Sequence, residues 1–341
     1  MPWWRFWRPD SEEEIQARQM QKAAIEALEN GDIPPTAKQR IDLQLKADKR
    51  FFTSDLSVRE FLLTRESGIE TISQVMGTSF YNVSYWGSYM GPYRMTGELV
   101  KVTEAQKEAR RLAIQRMKRE AQLLGASGVI GVRLHAKRSD MGTRMTEFTA
   151  YGTAVRIPGY PVGGEPFTSD LNGQDFWQLY KAGYRPKGLV MGLCSYYMWT
   201  NWKASRQMFG ILGFGNATNQ EIQLYTQGFY EARNRAVNAL TQELYELQAD
   251  GCVGMNIDYD IEKIEYSSES RQFDLLVNFR IIGTAVDATQ PAPPSERLMC
   301  LDLRKGKNGK AFTDIDPVEA FRLSLEAASG LGDLADDDDD E

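Results

Sequence analysis

The sequence predicts an α/β (α+β) fold made of two tandem copies of a small domain. Each copy is predicted to be a small antiparallel sheet with one long helix, preceded by a short helix. Three observations lead to this prediction: short sequence blocks recur in the same order, each copy has a stretch with apolar residues at helical spacing, and glycines bound stretches with the composition of strands.

Identical short blocks carry the duplication. Phe-Thr-Ser-Asp-Leu occurs at 52–56 and again at 167–171, an offset of 115 residues. The later blocks are Val-Met-Gly (75–77, 190–192), Glu-Ala-Arg (108–110, 231–233), Ala-x-Gly-x-x-Gly (126–131, 249–254) and Gly-Thr-Ala-Val (152–155, 283–286). Because the offset grows to 123 and then 131 while the order is kept, insertions fall between the blocks, as loops do.

The predicted elements follow one another in the same order in both copies. A short helix over 57–66, capped by Asp55 or Ser54, ends at Gly68. A strand, a long amphipathic helix, the Ala-x-Gly-x-x-Gly turn and two more strands follow. The predicted strands are 70–83, 129–136 and 147–156 in the first copy, and 187–197, 252–259 and 273–286 in the second. A three-stranded sheet covered on one face leaves its edges and other face open, which predicts self-association.

Five segments divide the chain. They are an aromatic N-terminal segment with a helical hairpin (1–50), repeat 1 (51–160), repeat 2 (161–290), a linker with a C-terminal helix (291–330) and an acidic tail (331–341). Within the hairpin, Ser11 and Glu14 predict a capping box at the start of a helix over 11–30, and a second helix is expected over 36–47. The tail has almost no apolar residue to bury and is predicted to be disordered.

The repeated blocks resemble those of the YbjQ-like family, whose members are also described as "putative heavy-metal-binding" domains. The resemblance covers both repeats, roughly 230 residues. It implies a small, dodecin-like α/β domain whose single-domain members assemble into ring-shaped homo-oligomers, typically pentamers. The biochemical activity of the family is not established, so the resemblance implies a fold more firmly than a function.

Composition and charge exclude several classes of function. The chain has 341 residues, 42% of them hydrophobic, and a formal charge of −7, but seven acidic residues lie between 333 and 341. The rest of the chain is charge-balanced, which argues against nucleic acid as a partner. Three scattered cysteines predict neither a disulfide framework nor a zinc knuckle. The most apolar stretch, 188–202, is shorter than a membrane-spanning helix. A cytoplasmic location is therefore expected.

Metal ligands are scarce. The soft-atom candidates are Cys194, Cys252, Met76 and Met191, of which only the methionines occur at matching positions in both repeats. All four have an apolar packing role as the favoured alternative. The only histidine, His135, is predicted to face solvent on its strand. No cofactor is predicted. That residues from several subunits together bind a metal ion remains an open alternative.

The glycine-containing turns do not predict a nucleotide site, because they run from helix to strand, whereas a phosphate-binding turn runs from strand to helix. The glycines are instead predicted to be structural, allowing a helix end and close packing of a strand. They are Gly77, Gly128, Gly131, Gly192, Gly251 and Gly254. Without a second histidine or a Gly-x-Ser-x-Gly elbow, no catalytic residues are predicted. Asp258 and Asp260 are interpreted as part of a solvated strand face.

Two groups of aromatic residues are predicted to contact another domain, another subunit, a partner protein or a membrane. The N-terminal group (Trp3, Trp4, Arg5, Phe6, Trp7, Arg8) combines indoles with arginines, which suits either a membrane surface or a partner protein. The second group lies in the insertions between the first strand and the long helix and predicts domain or subunit interfaces, with a small-ligand pocket as the alternative. Its members are Tyr85, Trp86, Tyr89, Tyr93, Trp199, Trp202 and Phe209.

The sequence therefore predicts a non-enzymatic scaffold or binding protein that assembles with itself into ring-like homo-oligomers. Its location is expected to be cytoplasmic, with peripheral membrane attachment through the N-terminus as one option. A heavy-metal or small-ligand binding protein is the alternative.

Overall fold

The structure, a computed structural model, describes residues 11–49, 51–82, 95–138, 145–161, 163–201, 204, 221–265 and 273–288. All of them belong to one unit that spans 1–292. The expected N-terminal aromatic segment, linker, C-terminal helix and acidic tail lie outside the described residues. Six helices and eight strands occur in the described ranges. The helices are α1 (Glu12–Glu29), α2 (Pro35–Lys46), α3 (Val58–Glu66), α4 (Val100–Leu123), α5 (Gly173–Lys181) and α6 (Gln223–Glu246); the strands are β1 (Glu70–Asn82), β2 (Gly97–Glu98), β3 (Gly128–Arg138), β4 (Met145–Arg156), β5 (Phe167–Thr168), β6 (Tyr184–Met198), β7 (Gly251–Glu265) and β8 (Phe273–Ala288).

The N-terminal helices form where the sequence predicts them. Ser11 and Glu14 close a capping box at the start of α1, in which each side chain accepts a hydrogen bond from the other residue's backbone N–H. Pro35 begins α2, where its missing N–H costs nothing. Helix α2 buries Ile41 and packs on α4, where Arg40 donates to Glu120 over 2.8 Å.

The two repeats have the same layout. In the first sheet the strand order is β1-β4-β3-β5, and in the second it is β2-β6-β8-β7. The three long strands of each sheet are antiparallel, and the last strand along the chain lies in the middle. Helix α4 packs on the first sheet and α6 on the second. The fold is therefore α+β, as the sequence predicts.

Small residues bring each long helix close to its sheet. A Cβ atom added at Gly77 would lie 2.0 Å from the carbonyl oxygen of Ala113 in α4, and one added at Gly192 would lie 1.9 Å from that of Ala236 in α6. Both alanines are fully buried. The repeated Val-Met-Gly block therefore marks the point where strand and helix backbones touch, because only glycine leaves room for that approach.

Two details differ from the prediction. Ser57, not Asp55 or Ser54, caps α3, because it forms a capping box with Glu60, while the preceding residues bind the sheet. Each sheet also has a fourth, short strand. Strand β5 begins repeat 2 yet pairs in parallel with β3, and β2 lies in repeat 1 yet pairs with β6. The first sheet is therefore mixed, and each repeat contributes a strand to the sheet of the other.

In the described ranges, no helix combines the length and the apolar character that crossing a bilayer requires.

We expect Gly192→Ala and Gly77→Ala to lower the free energy of unfolding by at least about 2–3 kcal/mol each, because the added methyl group meets helix backbone that cannot move aside. Gly164→Ala is the matched control, since nothing lies within 4 Å of its Cβ position, and its effect should stay within about 0.5 kcal/mol. Urea unfolding followed by circular dichroism measures all three. Equal midpoints for Gly192→Ala and the control would show that α6 does not touch β6 as described.

Candidate functional site at the junction of the two sheets

The two sheets meet at a junction to which both repeats contribute. We call it the internal junction and define it by three contacts: β5 with β3, β2 with β6, and α4 with the second sheet. Helix α5 also packs on α3 across it, with the Cβ position of Gly173 2.8 Å from the Cβ of Glu60. The surfaces in contact differ on the two sides, so the junction is heterologous.

The backbone of 167–171 extends the first sheet. Phe167 and Ser169 donate N–H groups to the carbonyl oxygens of Ser127 and Val129 over 3.2 and 2.9 Å. In return the N–H groups of Gly131 and Val132 donate to the carbonyl oxygens of Leu171 and Ser169, each over 2.9 Å. Gly131, with a φ of +64°, lies in the bulge of β3 that turns these two N–H groups outward. A short segment is thus held by four backbone hydrogen bonds.

A phenyl ring fills the space that a glycine leaves at this edge. A Cβ atom added at Gly128 would lie 2.2 Å from the ring of Phe167, which is only 8% exposed. The ring packs beside Tyr160 and stacks on Phe176, with centroid separations of 5.3 and 5.9 Å. A residue larger than glycine at position 128 would therefore clash with the docked ring of Phe167.

The docking segment is also fixed to its own sheet. Leu189 of β6 donates its N–H to Thr168 Oγ1 over 3.1 Å, and Asp170 donates its N–H to Thr284 Oγ1 over 3.1 Å. Burial raises the pKa of the Asp170 carboxyl, and a hydrogen bond from the Thr284 hydroxyl partly offsets this. The segment thus bridges the two sheets.

Helix α4 covers the face of the second sheet that α6 leaves open. Gln106 Nε2 donates to Ser195 Oγ and Asn278 Oδ1 over 3.2 and 3.1 Å, and the Ser195 hydroxyl donates to Asn278 over 2.7 Å. The Ser195 N–H donates to Thr103 Oγ1 over 3.0 Å. Gln106, Ser195 and Asn278 thus form a buried polar triplet, and the hydrogen bonds among them offset the cost of taking these polar groups out of water.

Charged side chains border this contact. Lys107 pairs with Glu243 over 2.9 Å, and Glu243 also accepts the N–H of Met191. The Arg110 guanidinium is buried 5.4 Å from the ring centre of Phe148. Its pKa is lowered to about 9, first by burial and then by Arg280, against the attraction of Asp258 and Asp260.

Asp258 and Asp260 do more than face solvent. Both carboxylates approach Arg280, over 2.7 and 3.9 Å, and Asp260 also accepts a hydrogen bond from Asn278. Their interpretation as a solvated strand face is incomplete, since the neighbouring strand supplies a cation that the sequence spacing does not reveal.

The outer faces of the two sheets differ sharply in exposure. Met191 is 7% exposed and Ser195 1%, whereas their counterparts in repeat 1, Met76 and Phe80, are 54% and 63% exposed. Helix α4 accounts for the difference, because Met191 belongs to the apolar cluster formed around it. The same face is therefore a buried interface in one repeat and an open apolar surface in the other.

The predicted soft-metal candidates do not converge. Cys194 is buried, and burial raises the pKa of its thiol to about 12; for Cys252, half-buried beside Gly283, the value is about 11. Neither thiol is activated as a nucleophile by its surroundings, since burial favours the neutral form of both. His135 is exposed, as predicted, and its Nε2 lies 3.0 Å from the Tyr151 hydroxyl. Across the described ranges, no group of three or more His, Cys, Asp or Glu side chains could hold a metal ion.

The other predicted contact residues are only partly described. Trp199 directly follows β6 and is exposed, and its backbone N–H donates to the Thr96 hydroxyl next to β2. The remaining members of the two aromatic groups lie outside the described residues. They are Tyr85, Trp86, Tyr89, Tyr93, Trp202, Phe209, Trp3, Trp4, Arg5, Phe6, Trp7 and Arg8.

A groove of about 990 Å³ runs beside the junction, between α4 and the C-terminal end of α6. Its charged side chains are mostly matched with one another, as in the pair Lys118–Glu165 and the contact of Arg119 with Asp32. The pair Lys118–Glu165 joins the two repeats, and Arg119–Asp32 joins α4 to the N-terminal segment, so the groove offers little uncompensated charge to a ligand.

From the sequence alone, Phe-Thr-Ser-Asp-Leu marks the duplication and is expected to supply a helix cap, and the docking role of the block is missed. The signal was present, because five consecutive identical residues exceed what a helix cap requires. Ser57 and Asn172, which provide the caps, lie just outside the block.

Comparison of the sequence with known proteins places the chain in a family. The YbjQ-like family, described as "putative heavy-metal-binding", matches residues 69–158. The UPF0145 protein of Pseudothermotoga lettingae is 35% identical over 91 residues, which are 26% of this chain and 84% of that protein. The encapsulin nanocompartment protein Rv1762c of Mycobacterium tuberculosis is 34% identical over 267 residues, 77% of this chain and 94% of that protein.

The similarity to the mycobacterial protein extends far beyond the part that matches the YbjQ-like model, and it covers nearly all of that relative. The described residues do not fit the heavy-metal description, since they bring together no group of three or more His, Cys, Asp or Glu side chains that could hold a metal ion. The chain belongs to the family of the M. tuberculosis encapsulin nanocompartment protein Rv1762c and carries a YbjQ-like domain at residues 69–158.

Proposed function

We propose that this protein is a non-enzymatic scaffold or binding protein that assembles into ring-like homo-oligomers through two YbjQ-like domains, of which the second spans 161–290. One observation carries the proposal: Met76 and Phe80 are exposed on the first sheet at positions that α4 buries on the second. A second copy of the chain provides the matching cover, since its α6 has the place in repeat 2 that α4 has in repeat 1.

Each added copy forms the same heterologous junction again, because the two surfaces in contact are different. In the described part of a single chain, the surface of repeat 2 that corresponds to the covering surface of repeat 1 covers nothing, and the outer face of the first sheet has no cover. Each added copy therefore leaves a new pair of open surfaces, until the rotation between copies closes a ring. A ring of this protein contains two sheets for every chain, so five chains would present ten sheets.

The family supports assembly as the function. The mycobacterial relative is named an encapsulin nanocompartment protein, and a self-assembling chain suits a component of such a compartment. We place the protein in the cytoplasm. Peripheral attachment to a membrane or partner through the Trp/Arg segment at 3–8 belongs to the same proposal and is supported by the composition of that segment alone.

We expect Met76→Glu/Phe80→Glu to reduce the assembly to single chains, because the contact would bury two carboxylates without partners. Native mass spectrometry of the full-length protein measures the mass of the species present. Leu43→Glu is the matched control, since Leu43 is an apolar residue of α2 that is 72% exposed, and this variant should assemble like the wild type.

Circular dichroism should show the same fold for all three proteins, since each substitution replaces an exposed side chain. A wild-type protein that stays a single chain at every concentration would contradict the proposed function. So would undiminished assembly of the double variant.

A further inference from the structure

We infer that the segment 52–56 of one copy pairs as a parallel strand with the edge of β7 in a second copy, with the ring of Phe52 over Gly251. This inference rests on the proposed self-assembly and names the contact that produces it. The internal junction supplies the pattern, because 167–171 makes this contact with β3 inside each chain. The expected contact is β-augmentation by a segment of the same protein.

The segment 52–56 is held on its own sheet in the same way as its counterpart. Gln74 donates its N–H to Thr53 Oγ1 over 2.9 Å, and Asp55 donates its N–H to Thr153 Oγ1 over 3.0 Å. The equivalent bonds of 167–171 are both 3.1 Å long. Because both segments are fixed in the same manner, they turn the same backbone edge away from their own sheets.

The aromatic anchor is also preserved, but it is uncovered. Phe52 stacks on Phe61 with a centroid separation of 4.8 Å, as Phe167 stacks on Phe176. Phe52 is 57% exposed, however, compared with 8% for Phe167. The Phe52 ring is therefore held in position by stacking while about half of its surface stays exposed, as expected for an anchor residue whose binding surface lies on another copy.

The matching receptor is the start of β7. Nothing lies within 4 Å of the Cβ position of Gly251, whereas the equivalent position of Gly128 is filled by Phe167. Gly254 has a φ of +67°, close to the +64° of Gly131, and it lies in the equivalent bulge. In the described part of the chain β7 is the edge of its sheet. The glycine, the bulge and the open edge are therefore all present without the segment that uses them in repeat 1.

The register of the contact follows from the internal junction. Phe167 and Thr168 are opposite Gly128 and Val129, so Phe52 is placed opposite Gly251, and Thr53 opposite Cys252. The Gly254 N–H then donates to the carbonyl oxygen of Leu56. Within the described chain the 52–56 segment does not make this contact, since the Phe52 ring is exposed and the Cβ position of Gly251 is empty, so the contact requires a second copy.

Exposed apolar side chains continue along the receptor strand. Met255, Ile257, Tyr259 and Ile261 of β7 are each about half exposed, whereas Val132, the counterpart of Met255 in β3, is 4% exposed. A second copy seated on this edge covers part of this surface.

Gly251→Val tests the receptor. Its side chain has free space in the single chain, so the fold should persist, but it takes the place of the Phe52 ring. We expect native mass spectrometry to show single chains only. Gly164→Val is the control at another open glycine and should assemble normally, while Gly128→Val should destabilise the chain itself because Phe167 is in the way.

Disulfide trapping tests the register, in a background in which Cys194, Cys252 and Cys300 are replaced by alanine. Phe167→Cys/Gly128→Cys should cross-link within a chain, and Phe52→Cys/Gly251→Cys should link chains into a ladder on non-reducing gels. Phe51→Cys/Gly251→Cys, one residue out of register, should give at least tenfold less of the ladder.

The outcomes separate the inference from the proposed function. If the wild type and the internal pair behave as expected but Phe52→Cys/Gly251→Cys does not link chains, and Gly251→Val still assembles, the contact is wrong while self-assembly holds. A wild-type protein that is never larger than a single chain would contradict both the inferred contact and the proposed function.

Discussion

The pairing of a Phe-Thr-Ser-Asp-Leu segment with a bulged edge strand is the interaction on which the rest of the structure depends. The segment is fixed to its own sheet through Thr168 and Thr284 and to the other sheet through four backbone hydrogen bonds, so it sets how the two sheets are placed. That placement brings α4 onto the outer face of the second sheet, where Gln106 joins the buried pair Ser195 and Asn278. Without it, an apolar face and an open edge would remain on each repeat.

The same constraint explains why one repeat alone is incomplete. A sheet of three long strands with a helix on one side buries only half of its side chains, and a small domain has little other surface with which to compensate. Within one chain, helix α4 covers the outer face of the second sheet while the outer face of the first sheet stays exposed, as the exposures of Met191 and Met76 show. One chain therefore covers the outer face of one sheet and leaves the outer face of the first sheet and the edge of β7 open. In the proposed assembly, further copies cover these surfaces with contacts of the same kind as the internal junction.

Much of the fold follows from patterns in the sequence, and the junction follows from them only in part. Helical spacing locates the long helices, and the capping box of Ser11 and Glu14 locates the start of α1. Of the repeated glycines, Gly192 lies at a close approach to Ala236, whereas nothing lies within 4 Å of the Cβ position of Gly251. The exchange of β2 and β5 between sheets could not be predicted, because strand pairing over long separations leaves no local periodicity. The buried polar triplet of Gln106, Ser195 and Asn278 joins residues up to 172 positions apart, and no local spacing records such a contact.

Hydrogen exchange resolved to single amides tests the central claim most directly. The amides of Gly131 and Val132 are hydrogen-bonded inside every chain, whereas the corresponding residues of β7, Gly254 and Met255, fall in a bulge without strand partners in the described part of the chain. If copies join as the repeats do, all four amides are protected in the assembled protein, and only Gly254 and Met255 lose protection on dilution to single chains. Rapid exchange of Gly254 and Met255 in the assembled protein, with Gly131 and Val132 still protected, would contradict the account.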